Sequence, residues 1–234
     1  MAPLQGRMIS KIAEIDPAPS GISRGGSQSV STHHSHHMRR TERQGLRLLV
    51  LEEDARDADL ITRSLARADP TCTVQVVDNR AGFARLLETF VPDAVISDNG
   101  SPGLRALDVL ELVRSHRPTT PLVLVAGALS QAGVECLKAG AADFVPKADL
   151  ARLSAAITNS LEQRAPLRKL SARQCTVLQR LASGQSTRQI AQELQISIKT
   201  VETHRSELMR RLGIHELAGL VRFAVRVGLV SAAA

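Results

Sequence analysis

The segment GQSTRQIAQELQISIKTVETHRSELMRRLGI, residues 184–214, permits little besides two short helices around one tight break. Ser186 suits a helix cap, and Gln189, three positions on, completes a capping box. Ile190, Ala191 and Leu194 then share one helical face. Gln195-Ile196 form the break, Ser197 caps a second helix running to about Leu212, and Gly213 stops it. On that helix Val201, Leu208 and Leu212 face inward. Glu202, Thr203, Ser206 and Arg210 face outward, beside Lys199 and Arg205. At about 1.5 Å per residue the second helix is long enough to span a major groove. A scaffold helix followed by such an apolar-backed helix is the helix-turn-helix arrangement.

The charge distribution agrees with a nucleic-acid partner. The whole chain carries +7, divided as +3 over residues 1–45, −3 over 46–164 and +7 over 165–234. Only the last segment is built to meet a polyanion, so double-stranded DNA is the expected partner. Lys199, Thr200, Arg205 and Arg188 are candidates for phosphate contacts, which give register and affinity. Glu202, Thr203 and Ser206 are candidates for base edges, although Glu202 also reads as a solvated helix residue. His204 lies toward the inner side, where it packs or hydrogen-bonds locally.

From Leu170 the words LSARQCTVLQRLASGQSTRQIAQELQISIKTVETHRSELMRRLGI closely resemble the DNA-binding domain of LuxR/FixJ-type regulators. The one departure is Gln174 in place of the usual Glu, and a Gln still closes a capping box on Ser171. The resemblance implies homodimers on inverted-repeat promoter DNA, with RNA polymerase as a further partner. It also implies that a last helix, Glu216 to Gly228, pairs two such domains. Its apolar stripe of Leu217, Leu220, Val221, Ala224 and Val225 reads equally well as core.

The middle of the chain alternates strands and helices. Apolar strands are expected at residues 48–51, 72–77, 94–97, 122–125 and 142–145. Helices follow, the first with Ala58, Ile61 and Leu65 on one face, the third with Leu107, Leu110 and Val113, and the last from Leu150 to about Leu161. Such an order gives an α/β doubly wound, five-stranded parallel sheet, ahead of a small all-α four-helix domain. Ligands of a doubly wound sheet gather at the carboxyl ends of its strands. Glu52-Glu53-Asp54 follow the first strand, Asp98 ends the third, and Lys147 follows the fifth. Crowded carboxylates need a cation, and Mg²⁺, which takes oxygen ligands and keeps its waters, suits the set. Asp98 then has the chemistry of a nucleophile toward a phosphoryl group, and Lys147 supplies a point charge for the phosphoryl oxygens.

This region resembles the receiver domain of two-component response regulators, on Glu52-Glu53, Asp98, Pro102-Gly103, the KAGAADFVPK stretch and Lys147. By that resemblance Asp98 is the phosphoacceptor of a sensor histidine kinase. Glu53 and the Gly100 carbonyl join it as metal ligands, and Phe144 is the aromatic switch position. Three positions depart from the pattern. Ala126 stands where a Thr or Ser hydroxyl is expected, Glu53 replaces an Asp, and Arg105-Ala106 replace Asp-Gly. The lost hydroxyl removes a charge-assisted hydrogen bond of roughly 1.5–3 kcal/mol, against the ~5.5 kcal/mol that a full two-state switch needs. An atypical receiver controlled by protein contact is the alternative reading.

The expected organisation is an N-terminal extension without patterning over residues 1–45, a receiver over 46–163, a linker over 164–169 and a DNA-binding domain over 170–234. His33, His34, His36 and His37 read as a flexible tail, and Met38 as an internal start. Cys72, Cys136 and Cys175 are scattered and odd in number, which suits a reducing cytoplasm. No apolar run of membrane-spanning length and no signal-peptide pattern is present. A regulator rather than an enzyme is expected. A flavodoxin-like cofactor binder would need a Gly-rich loop where Glu52-Glu53-Asp54 stands.

Overall fold

The computed structural model describes residues 45–98, 100–101 and 104–231. The readings made for the N-terminal extension, its histidines, Met38 and Pro102-Gly103 fall outside the described residues. No described helix is long and apolar enough to cross a membrane.

The sheet consists of β1 (Arg47–Leu51), β2 (Thr73–Val77), β3 (Ala94–Ser97), β6 (Leu122–Ala126) and β7 (Asp143–Pro146). A two-stranded hairpin, β4 (Gly100–Ser101) and β5 (Leu104–Arg105), intervenes. The main strands run parallel in the order β2-β1-β3-β6-β7. Their near-continuous apolar runs are what a sheet covered on both faces requires. Strand alternation divides the core in two. Leu48, Val50, Ile96, Val123 and Val125 pack with α1 (Ala55–Ala68) and α5 (Leu153–Arg164). Leu49, Leu51, Val95, Leu122 and Leu124 pack against α2 (Arg80–Thr89), α3 (Ala106–His116) and α4 (Gln131–Ala139). The expected burial of Ala58, Ile61 and Leu65 holds, while on α3 Val109 lies inside and Leu107 is half-buried. Cys136 and Cys175 are buried, and burial pushes their thiols up to about 12 and about 11. They behave as small core hydrophobes.

Four helices form the C-terminal core: α6 (Ala172–Ala182), α7 (Thr187–Glu193), α8 (Ile198–Leu212) and α9 (Leu217–Arg226). Gln174 does close the capping box on Ser171, accepting the Ser171 N–H at 3.0 Å. The α9 stripe needs correction: Leu217 is 49% exposed, and Phe223 fills the inner face beside Leu220 and Ala224. Leu217 opens the helix beyond the reach of the core.

The segment expected as a linker is a short 3₁₀ helix, Ala165–Lys169, with Pro166 in its first turn, where a missing N–H costs nothing. Its Leu167 is fully buried in the helical core. The two halves meet where α4 and α9 end. Gly140, at φ +111°, caps α4, and Gly228, at φ +66°, follows α9. Arg114 of α3 donates to the carbonyls of Ala139 and, at 2.9 Å, Gly228. Arg164, at the end of α5 and 4% exposed, donates to Thr120 at 2.7 Å, Gly140 at 3.3 Å and Gly228 at 3.4 Å. Burial lowers its guanidinium to about 10, and the neighbouring Arg114 charge acts in the same direction. Carbonyls at helix ends carry partial negative charge, which is what stabilises two guanidiniums there. Ser231 adds a bond from its hydroxyl to the Lys138 carbonyl at 3.1 Å.

A side chain at Gly228 would place its Cβ 2.4 Å from the Gly140 oxygen, whereas one at Gly184, φ +81°, meets nothing within 4 Å. Gly228→Ala is therefore expected to lose about 3 kcal/mol, from backbone strain plus the clash, and Gly184→Ala about 1 kcal/mol, from strain alone. Urea midpoints compare them, and equal losses would mean that the contact between halves contributes nothing.

Candidate functional site

Parallel pairing brings the strand ends together. Leu51 lies beside Ser97, Ser97 beside Leu124, and Ala126 beside Pro146. Glu52, Asp98, Ala126 and Lys147 consequently share one edge of the sheet, Glu52 and Asp98 directly after the adjacent strands β1 and β3. Here the chain leaves β1 for a helix on one face and β3 for a helix on the other, the place where doubly wound sheets bind ligands.

The acidic knot separates into three different environments. Glu52 is 4% exposed. Its Oε2 accepts from Lys147 Nζ at 2.8 Å, and its Oε1 from the Asp54 N–H at 3.1 Å. Glu53 points to solvent. Asp54 caps α1, accepting the N–H groups of Arg56 at 2.7 Å and Asp57 at 3.2 Å, and these bonds hold its carboxyl below the usual range. The cation that neutralises the buried acid is thus Lys147 itself.

Asp57, in the first turn of α1, is a second partner of the Lys147 ammonium, and sequence reasoning missed it. Ninety residues separate the pair, and the only local signal was an acid on the first turn after the knot. Burial alone pulls the lysine pKa down, but the bonds to Asp57 and Glu52 outweigh it and raise it above the ordinary value.

Asp98 is half-buried after β3, with the buried Ser97 hydroxyl donating to its carbonyl at 3.2 Å. Ala126 is 6% exposed at the end of β6 and presents a methyl group where a hydroxyl was expected. Phe144 is half-buried in β7 against the core. Gly100 belongs to β4, opposite Arg105 of β5, whose guanidinium and N–H both engage Asp108. Among the described residues no three His, Cys, Asp or Glu side chains are grouped to hold a metal. Since Glu52 is committed to Lys147, a hard cation at this edge would draw on Glu53, Asp98 and the Gly100 carbonyl. One or two carboxylates completed by water is the donor set that Mg²⁺ accepts.

At the other end of the chain, α7 and α8 meet through Gln195, at φ +52°, and the Ile196 N–H returns to the Ala191 carbonyl at 3.0 Å. Ser186 and Ser197 cap the two helices, and Gly213, at φ +66°, ends the second. Val201 and Leu208 anchor α8, with Leu212 partly buried. Lys199, Glu202, Thr203, Ser206 and Arg210 are exposed on α8, as is Arg188 on α7; Arg205 is half-buried. Two hydroxyls already have local bonds: Thr200 with Ser197 at 2.8 Å and Thr203 to the Lys199 carbonyl at 2.9 Å. His204 is half-buried, with Nδ1 enclosed and unbonded. Ile198, 48% exposed at the start of α8, is an apolar contact that sequence reasoning passed over.

Replacing Lys147 by Met strands a buried carboxylate, so about 3 kcal/mol of stability should disappear. Glu52→Gln in the same chain should recover much of that loss. A group whose pKa is raised by folding stabilises below its unfolded pKa, about 10.4, and the contribution fades as pH rises through the folded value. Both proteins should weaken at alkaline pH, because the buried Cys136 and Cys175 stay protonated where unfolded thiols ionise, but wild type should weaken more steeply than Lys147→Met; urea titrations at pH 8 and above would contradict the pairing if the two stability curves ran parallel.

Comparison with known proteins identifies the family of each half. The family model described as "Response regulator receiver domain" matches residues 48–158, and the one described as "Bacterial regulatory proteins, luxR family" matches residues 168–224. A Pseudomonas aeruginosa protein described as a transcriptional regulator is 34% identical over 193 residues, covering 73% of this chain and 93% of its own. The transcriptional regulatory protein FixJ of Bradyrhizobium diazoefficiens is 28% identical over 200 residues, covering 79% and 97%. A crystal structure of full-length FixJ from B. japonicum, at 27% identity, covers 81% of this chain and all of that one with a TM-score of 0.48. The chain belongs to the two-component response regulators, joining a receiver domain to a LuxR-type DNA-binding domain as a regulator of transcription.

Proposed function

We propose that this regulator is phosphorylated on Asp98 by a sensor histidine kinase and, as a homodimer, binds inverted-repeat promoter DNA in the cytoplasm, where RNA polymerase is its further partner. The observation that carries the reading is the shared strand edge of Asp98, Lys147 and Glu52. An Asp98 carboxylate oxygen attacks phosphorus, and the kinase histidine nitrogen leaves with the electron pair of the broken P–N bond. Lys147 donates to a phosphoryl oxygen, and Glu52 keeps the ammonium at the strand edge. Glu53, Asp98 and the Gly100 carbonyl would hold Mg²⁺, which supplies charge neutralisation for the acids and the phosphoryl oxygens. Phe144 is the switch position on β7. The proposed domain limits are 46–163 and 170–234, with 164–169 between them.

A second reading is favoured by Ala126. With a methyl group at the end of β6, no hydroxyl there draws the following loop toward a phosphoryl group. A receiver lacking that bond can be controlled by protein contact instead. One experiment separates the two: acetyl phosphate and Mg²⁺ are added to wild type and Asp98→Ala, and intact mass and operator affinity are followed on the same samples. Addition of one phosphoryl group to wild type alone, with tighter operator binding, supports the phosphoryl switch. Addition without a change in affinity favours control by contact, and equal addition to both proteins removes Asp98 from the site.

For the DNA-binding end, Arg188, Lys199, Thr200 and Arg205 are the proposed phosphate contacts, and Glu202, Thr203 and Ser206 the proposed base readers. The exposure of one polar face of α8 beside basic side chains supports this division. Arg205→Ala should weaken binding to all sequences and reduce the salt slope by about one. Thr203→Ala should shift which operators are preferred. Uniform loss by both variants on cognate and random DNA would contradict the assignment.

A further inference from the structure

We infer that Asp57 restrains Lys147, and that phosphoryl transfer to Asp98 is slowed until the ammonium exchanges Asp57 for a phosphoryl oxygen. The inference rests on the reading of Asp98 as the phosphoacceptor. An ammonium has three donors, and two of those on Lys147 are committed, one to Glu52 and one to Asp57. The two acids hold it differently. The Glu52 side chain is 3% exposed and its other oxygen is fixed by the Asp54 N–H, so this partner stays. The Asp57 side chain is 32% exposed at the rim, so water can take the place of the ammonium when the bond opens. Asp57 is the exchangeable partner.

Two further features make that exchange matter. Ala126 brings no hydroxyl to the phosphoryl group, so recognition of its oxygens falls more heavily on Lys147. Glu52, Glu53, Asp54 and Asp57 already crowd six positions after β1, with Arg56 as the only basic residue among them. A dianionic donor approaching Asp98 is repelled by each of these charges. Asp57 neither follows a strand nor caps the helix, so its charge opposes the donor while its carboxylate occupies the ammonium. It acts through Lys147 and is a positioning residue.

The reaction with acetyl phosphate isolates this step. An Asp98 oxygen bonds to phosphorus as the P–O bond to acetate breaks; acetate leaves with the electron pair, and no proton is transferred. The full-length chain, with Mg²⁺, is followed by intact mass over time as wild type, Asp57→Asn, Asp57→Glu and Asp59→Asn. Asp59 is an exposed acid of the same helix paired with Arg63, so it controls for a general effect of charge on α1. Asp57→Asn should gain one phosphoryl group roughly three- to tenfold faster at saturating donor, ~1.4 kcal/mol per factor of ten. Asp57→Glu and Asp59→Asn should follow wild type, and the salt dependence of the rate should be shallower in Asp57→Asn alone. A wild type that reacts while Asp57→Asn reacts no faster overturns the inference and leaves the phosphoacceptor reading intact. Asp59→Asn accelerating as much as Asp57→Asn also overturns it. No addition to any of the four proteins, or equal addition to Asp98→Ala, overturns the phosphoacceptor reading and the inference together.

Discussion

A carboxylate as enclosed as Glu52 needs a cation at bonding distance, and Lys147, from the far end of the sheet, provides it. That single pair fixes how the strand ends are arranged. For Lys147 to reach Glu52, β7 must lie in parallel register with β6, and β6 with β3, so that all their carboxyl ends face one edge. The backbone N–H of Asp54 on the second oxygen of Glu52 sets where α1 starts. The edge that receives ligands in doubly wound sheets is here organised by an ion pair before any ligand arrives. Pairs of this kind add little net stability over an apolar packing of the same volume, yet removing one partner is costly. The pair therefore secures arrangement more than it adds stability.

The contact between the two halves follows the same electrostatic logic with different groups. Arg114 and Arg164 are held by main-chain carbonyls next to the ends of α4 and α9, where helix dipoles leave partial negative charge, and Arg164 also by the Thr120 carbonyl ahead of β6. The close passage of Gly140 and Gly228 brings those carbonyls within reach of both guanidiniums. All described residues fall in one compact unit, and this clamp, with the buried Leu167 of the 3₁₀ helix, is part of the reason.

Much of the fold was legible because its signals are local. The strand at residues 94–97 falls at its observed limits, since an apolar run between polar residues marks both ends. The helix-turn-helix was legible for the same reason, with Ser186, Ser197 and Gly213 acting where their chemistry suggested. What escaped was non-local. Asp57 carries no local mark of its role, since the fold brings Lys147 to it across 90 positions. Arg114 and Arg164 carry no local mark, because nothing in the sequence shows that main-chain carbonyls from distant loops and helix ends will surround them. The run 164–169, with its proline and basic residues, read as a linker because the burial of Leu167 depends on a core formed later in the chain. Leu217 failed in the opposite sense: it continues the apolar stripe of α9, yet the core ends before it.

In the proposed reaction one ammonium, held by Glu52 and Asp57, changes partner as Asp98 takes the phosphoryl group. The most direct measurement is the ¹⁵N-detected NMR signal of the Lys147 ammonium, assigned through Lys147→Met, before and after acetyl phosphate and Mg²⁺. A slowly exchanging ammonium is expected in the resting chain, and a new resonance position once the phosphoryl group is in place. Asp57→Asn should shift the resting signal toward that second position. A Lys147 signal that stays where it was while intact mass shows full phosphorylation would mean that the ammonium keeps its partners.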